Sequence, residues 1–162
     1  MKKFTLAVVA ALSLTLTSTG CGGGVKTPET DYAAARTVVR ALAAEKALDG
    51  VAVDALAAAT AGSVPLQQSM DALSAQTGEL LALIEEVAAL PRARDSHLAS
   101  AQERLKTYLR ERVFQIESAL GAASPQEAQA AYGSAKATLD MVRDDVRGML
   151  FAYDPKLKKS VP

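Results

Sequence analysis

The chain has no tryptophan, one histidine and one cysteine among its 162 residues. The lone Cys21 forbids an internal disulfide, so any folded domain must be stable without one. The lone His97 leaves nothing for a Ser-His-Asp or Cys-His arrangement, and the only thiol sits near the N-terminus. Aromatic residues are 4% of the chain, too few for a base-stacking platform. Acids and bases balance at 18 each, without the basic excess of a nucleic-acid surface. β-branched residues never alternate over a strand length, so no sheet is expected. What dominates is Ala and Leu with Glu, Lys, Arg and Gln, the strongest helix formers.

The first 21 residues read MKKFTLAVVAALSLTLTSTGC. Lys2 and Lys3 are a positive start, and Phe4 to Leu16 is an apolar run interrupted only by Thr5, Ser13 and Thr15. That run is shorter than the roughly 20 residues a bilayer span needs. Charged start, apolar centre and small-residue end are the three parts of a secretory signal. The closing Ser18-Thr19-Gly20-Cys21 resembles the lipobox of bacterial lipoproteins, with Ser18 where that pattern has an aliphatic residue. The resemblance implies that Cys21 becomes the mature N-terminus and carries lipid. Several acyl chains would hold the protein firmly, because one alone gives marginal binding. Gly22 stands where that family's retention signal is Asp, which implies the periplasmic face of the outer membrane. The leader removes two lysines, so the mature chain is slightly acidic.

The expected organisation is a signal peptide over 1–20, a lipid-anchored Gly-rich tether over 21–27, a helical bundle domain over 28–153 and a basic C-terminal tail over 154–162. Gly22-Gly23-Gly24 lacks the GK[ST] ending of a phosphate-binding loop. Thr27-Pro28-Glu29 is a helix start. Tyr32, Ala35, Val39 and Leu42 then share a face, but the same spacing lands on Lys46 and Asp49, and Asp49-Gly50 reads as a stop. Val51 to Ala61 is either a short separate helix or a bent continuation. Pro65 opens the next helix, whose stripe is Leu66, Met70, Leu73, Thr77, Leu80, Ile84 and Val87. Leu81, Leu83 and Leu90 widen it, and Pro91 ends it. Leu98, Ala101, Leu105, Leu109, Val113, Ile116 and Leu120 form the third stripe, closed by Gly121. Ser124-Pro125-Gln126-Glu127 is a capping box. It opens a helix striped by Ala128, Tyr132, Ala135, Leu139, Val142, Val146, Met149 and Tyr153, ended by Asp154-Pro155. Gly78 and Gly133 sit beside stripe residues, where they would permit close helix approach. Gly148 has no such reading.

Candidate chemistry is thin. His97 with Met70, Met141 or Met149 could ligate haem between helices, but His97 falls at a helix entrance and reads as exposed. The run Glu127–Leu139 loosely resembles the last helix of periplasmic haem-binding bundles, which implies a ligating histidine that this helix does not have. Di-iron bundles need Glu-x-x-His pairs, and none occurs. Asp140 and Asp144 each precede an arginine by three residues, Arg143 and Arg147, a surface ion-pair spacing. Glu85, Glu86 and Asp145 read as solvated. Arg104, Lys106, Arg110 and Arg112 interleave with Glu103, Glu111 and Glu117 and read as a mixed solvated face. Lys156, Lys158 and Lys159 read as a frayed tail that could touch anionic headgroups. Phe114 and Phe151 lie beside their stripes, fitting either a partner anchor or a wider core.

The fold expected is all-α, an up-down antiparallel four-helix bundle, with a three-helix bundle plus an N-terminal helical arm as the alternative. The function expected is a membrane-anchored envelope lipoprotein that binds a protein partner, with a periplasmic carrier of an apolar ligand or haem as the rival. No enzyme activity, nucleic-acid partner, cofactor or metal site is expected, and Cys21 is the one site residue, for lipidation.

Overall fold

The computed structural model describes residues 28–161. These form α1 (Pro28–Thr60), α2 (Leu66–Ala88), α3 (Ser96–Leu120), α4 (Pro125–Ser134) and α5 (Lys136–Tyr153), followed by a 3-10 helix over Pro155–Lys159. No strand occurs among the described residues, and the helices pack around one apolar core.

α1 runs 33 residues through Asp49-Gly50 without stopping. Val51 to Thr60 is therefore a continuation, not a separate helix. Its buried stripe is Asp31, Ala34, Ala35, Val38, Ala41, Leu42, Glu45, Ala52, Leu56 and Ala59. Of the expected face, Ala35 and Leu42 are buried, but Tyr32 is 51% exposed and Val39 only half-buried, so the inward line is centred to one side of the expected one. Alanines on every face make the apolar phase of this segment ambiguous. The inward line does not fail in the middle but carries the acid Glu45. The true stop is Gly62, whose φ of 69° is the left-handed conformation that glycine accepts without penalty. Ser63 N donates to Ala58 O and Gly62 N to Ala59 O, the bond pair of a Schellman ending.

In α2 the heptad positions Leu73, Leu80 and Val87 are buried, while Met70, Thr77 and Ile84 are half-buried. Leu81 does not widen the stripe, being 49% exposed; Leu83 and Leu90 pack against the core. Ser69 Oγ donates to Ala55 O at 2.8 Å and Arg40 pairs with Glu86. The start of α2 thus meets the end of α1, and these two helices run in opposite directions.

α3 begins at a doubly secured turn. The Asp95 carboxylate accepts from the amides of His97 and Leu98 at 2.8 and 3.0 Å, an N-cap. Asp31 reaches across from α1 and accepts from the Arg94 and Asp95 amides. Gln102 ties down the preceding loop by accepting from Ala93 N at 3.0 Å and donating to Pro91 O at 3.1 Å. α1 and α3 therefore start at the same end of the molecule.

The expected last helix is broken at Ala135 (φ −92°, ψ −8°), so α4 and α5 are distinct. Ser134 Oγ donates back to Ala131 O at 2.7 Å, competing with the helical ladder. The inward line survives the break as Ala128, Tyr132, Leu139, Val142, Val146 and Leu150. Ser124 Oγ accepts from Glu127 N, and Glu127 Oε2 accepts from Ala123 N, one residue earlier than a strict capping box. The close approach expected at Gly78 and Gly133 is absent: a Cβ there, or at Gly148, would meet nothing.

The C-terminal lysines do not sit on a frayed tail. The Asp154 carboxylate accepts from Lys156 N at 2.9 Å, and Leu157 and Val161 are buried.

Candidate functional site

Cys21, the expected lipidation site, lies outside the described residues. His97 is exposed at the first turn of α3. The acids of α5 form the expected surface pairs, Asp140 with Arg143 at 2.8 Å and Asp144 with Arg147 at 3.1 Å. Asp145 instead crosses to Arg104 of α3 at 3.4 Å, and Glu86 pairs with Arg40 of α1. No group of three or more His, Cys, Asp or Glu among the described residues could hold a metal ion.

A buried concentration of polar side chains lies in the interior, and it overturns the reading of Arg112 as part of a solvated face. Arg112 is 2% exposed. α3 turns two inward lines to its neighbours: the apolar stripe, and a second of Tyr108, Arg112, Gln115 and Ala119. From α1, Glu45 (0% exposed) and Asp49, one turn apart, point into the same space. Tyr132 arrives from α4 and Lys136 from the start of α5.

Arg112 is the hub. Its Nε lies 2.7 Å from Glu45 Oε1 and its Nη2 2.9 Å from Asp49 Oδ1. Nη2 also donates to the Tyr132 hydroxyl at 2.6 Å, and Nη1 donates to Gln115 Oε1. The guanidinium stands 5.1 Å from the Tyr132 ring centroid. The Tyr132 hydroxyl in turn donates a hydrogen bond to Asp49 Oδ1 at 2.8 Å, and Lys136 Nζ sits 3.5 Å from Asp49 Oδ2. Gln115 Nε2 donates to the Tyr132 carbonyl, three residues before the break at Ala135.

The two acids differ in kind. Burial pushes the Glu45 carboxyl above its ordinary value, against the pull of Arg112 and the Tyr108 phenol. Its contact with Arg112 is close but not aligned as a hydrogen bond, and neither Glu45 oxygen has an aligned donor among the described residues. Burial acts the same way on Asp49, but Arg112, the Tyr132 hydroxyl and Lys136 outweigh it and hold the carboxyl below its ordinary value. Burial raises both Tyr108 and Tyr132, so both stay protonated. Arg112 is held charged by Tyr132, Glu45 and Asp49 against its own desolvation. The arrangement joins α1, α3 and α4, with Lys136 of α5 at its edge.

The sequence carried a faint signal of this. Glu45 follows Ala41 and Leu42 at helical spacing, and Arg112 lies between Leu109 and Ile116. A charged residue on that spacing reads as an edge of the stripe until its partner is known.

On the outside, Phe114 of α3 is 71% exposed. It borders an open groove of about 270 Å³ with a mixed lining: Ala131, Ala135 and Leu139 beside the polar Glu111, Gln115, Ser118, Ser134 and Thr138. No described helix is long and apolar enough to cross a membrane. No family model matches the chain, and neither a curated protein nor a solved structure matches it.

Proposed function

We propose that the chain is an exported lipoprotein, held through Cys21 to the periplasmic face of the outer membrane, whose helical domain binds a protein partner. The finer architecture proposed is an up-down antiparallel four-helix bundle, with α4 and α5 together as the fourth member. The opposed contacts of α1 with α2, and of α3 with α4 and α5, support it: Gln115 meets Tyr132 and, further toward the start of α3, Arg104 meets Asp145. The leader ending in the only cysteine supports the anchor.

Phe114 carries the partner reading. A phenylalanine 71% exposed beside a groove of mixed lining, with Ala131, Ala135 and Leu139 among Glu111, Gln115, Ser118, Ser134 and Thr138, is the type of anchor around which interfaces form. The internal polar residues are engaged with each other, which leaves the outer surface for recognition. Phe114→Ala should leave the fold intact and abolish the cross-link of the anchored protein to its partner in host membranes. An undiminished cross-link in that variant would defeat the assignment of Phe114.

A further inference from the structure

Most cations along the body of the molecule are matched with acids: Arg104 with Asp145, Lys106 with Glu103, Arg143 with Asp140 and Arg147 with Asp144. Lys46, Arg92 and Arg110 are isolated exceptions. One end of the molecule differs. α1 and α3 both begin there, and the C-terminal 3-10 helix folds back onto it, so that Leu157 and Ser160 share a groove with Tyr32, Val39 and Arg36. Around that groove Arg36, Lys156, Lys158 and Lys159 are exposed and belong to none of the ion pairs among the described residues. Lys158 lies 5.8 Å from the Phe151 ring centroid. Acids are present at this end too: Asp31, Asp95 and Asp154 accept from backbone amides and keep their charge, Glu86 holds Arg40, and Glu29 is exposed at the start of α1. The cations outside the ion pairs thus face outward beside a smaller set of inward-held carboxylates. No carboxylate lines the groove.

We propose that this end is a surface for anionic lipid headgroups, with Arg36, Lys156, Lys158 and Lys159 meeting their phosphates and the half-exposed Tyr32 lying at the interface. The proposal rests on the lipid-anchor reading, and distance selects the end. α1 starts seven residues after Cys21, a span of at most about 25 Å. The far end of α1, 33 residues on, is a further ~50 Å away. A tether of that length therefore brings the basic end to the membrane and leaves the other end and Phe114 facing outward. The buried Leu157 and Val161 fix the lysines in place, so that docking need not order a loose tail. Each Lys or Arg near an anionic surface strengthens association roughly fivefold, so three should give about a hundredfold.

The test uses the full lipidated chain in vesicles, with a fluorophore on Ser160→Cys and a quencher on the lipid headgroups. Vesicles containing phosphatidylglycerol should quench the label strongly. Pure phosphatidylcholine, 0.5 M salt, or Lys156→Glu/Lys158→Glu/Lys159→Glu should each remove most of that quenching. The milder Lys→Gln triple, which the exposed positions tolerate, should give an intermediate loss. Equal quenching on both lipids, or quenching unchanged in both triple variants, would overturn the proposal. The anchor is read separately by flotation with phosphatidylcholine. If it fails there, flotation with phosphatidylglycerol alone would still support the basic end, and flotation with neither would refute it.

Discussion

Charge gathers in two places in this molecule, and the two are opposite in character. At the centre, Arg112 is enclosed with Glu45, Asp49 and Tyr132, and its neighbours answer it. At the end where α1 begins, Arg36 and the lysines of the 3-10 helix are exposed and belong to none of the ion pairs among the described residues, and no carboxylate lines the groove beside them. A buried charge without its partner costs several kcal/mol, whereas an exposed one costs little and is worth little to the fold. The central charges therefore belong to the fold, and the terminal ones are available for something outside it.

The largest effect that would break this contrast lies at the centre. Arg112→Ala leaves Glu45 buried without its cation and Asp49 with only Lys136, and should cost about 3–5 kcal/mol of stability, read from the urea midpoint. Replacing Glu45 and Arg112 together by methionine should recover much of that loss, because matched apolar side chains remove both charges at once. A double variant as weak as Arg112→Ala would mean that the network contributes through contacts other than charge pairing. The Lys156→Glu/Lys158→Glu/Lys159→Glu variant should shift the midpoint by no more than about 0.5 kcal/mol.

The pH profile sharpens the comparison. Glu45 has a raised folded value, so its contribution is fully present below its ordinary value of 4.5 and is lost as pH rises through the raised one. Asp49 has a depressed value, so its contribution is present above its ordinary 3.8 and is lost as pH falls through the depressed one. Glu45→Gln should therefore flatten the decline of stability on the alkaline side of 4.5 and leave the acid limb, which Asp49→Asn should flatten instead. Denaturant titrations across pH separate the two limbs. Identical profiles for both variants would contradict the different environments assigned to the acids.

The legible parts of the fold were those with punctuation or with large apolar side chains. Ser124-Pro125, Pro65, Pro91 and Gly121 marked boundaries because proline and glycine limit the backbone locally. Leu73, Leu80 and Val87 in α2, and Leu98 to Ile116 in α3, named the buried faces because leucine on a repeating step leaves one phase. In α1 the start at Pro28 and the burial of Ala35 and Leu42 were legible, but its alanines suit any face, and the inward place of Glu45 depends on Arg112, more than 60 residues away. The break at Ala135 was equally illegible, since Gln115 supports it from another helix. The folding back of Leu157 and Val161 could not be seen either, in a segment whose lysines dominate its pattern.

The smallest effect concerns the helix interiors. Gly148 is exposed and a Cβ there meets nothing. Gly148→Ala should stabilise the domain by about 0.5–1 kcal/mol, a rise in thermal midpoint of a few degrees. A loss of stability would show that the glycine serves a contact outside the described residues.

The claim on which the outward-facing reading depends is that the chain is tethered at Cys21. The most direct measurement is mass spectrometry of the N-terminal peptide of the full chain, purified from bacterial membranes in the detergent phase. The account expects a mature chain beginning at Cys21 and carrying acyl groups, with Cys21→Ser moving to the aqueous phase. An unmodified N-terminus at Met1, or cleavage that leaves Cys21 as a free thiol, would contradict it.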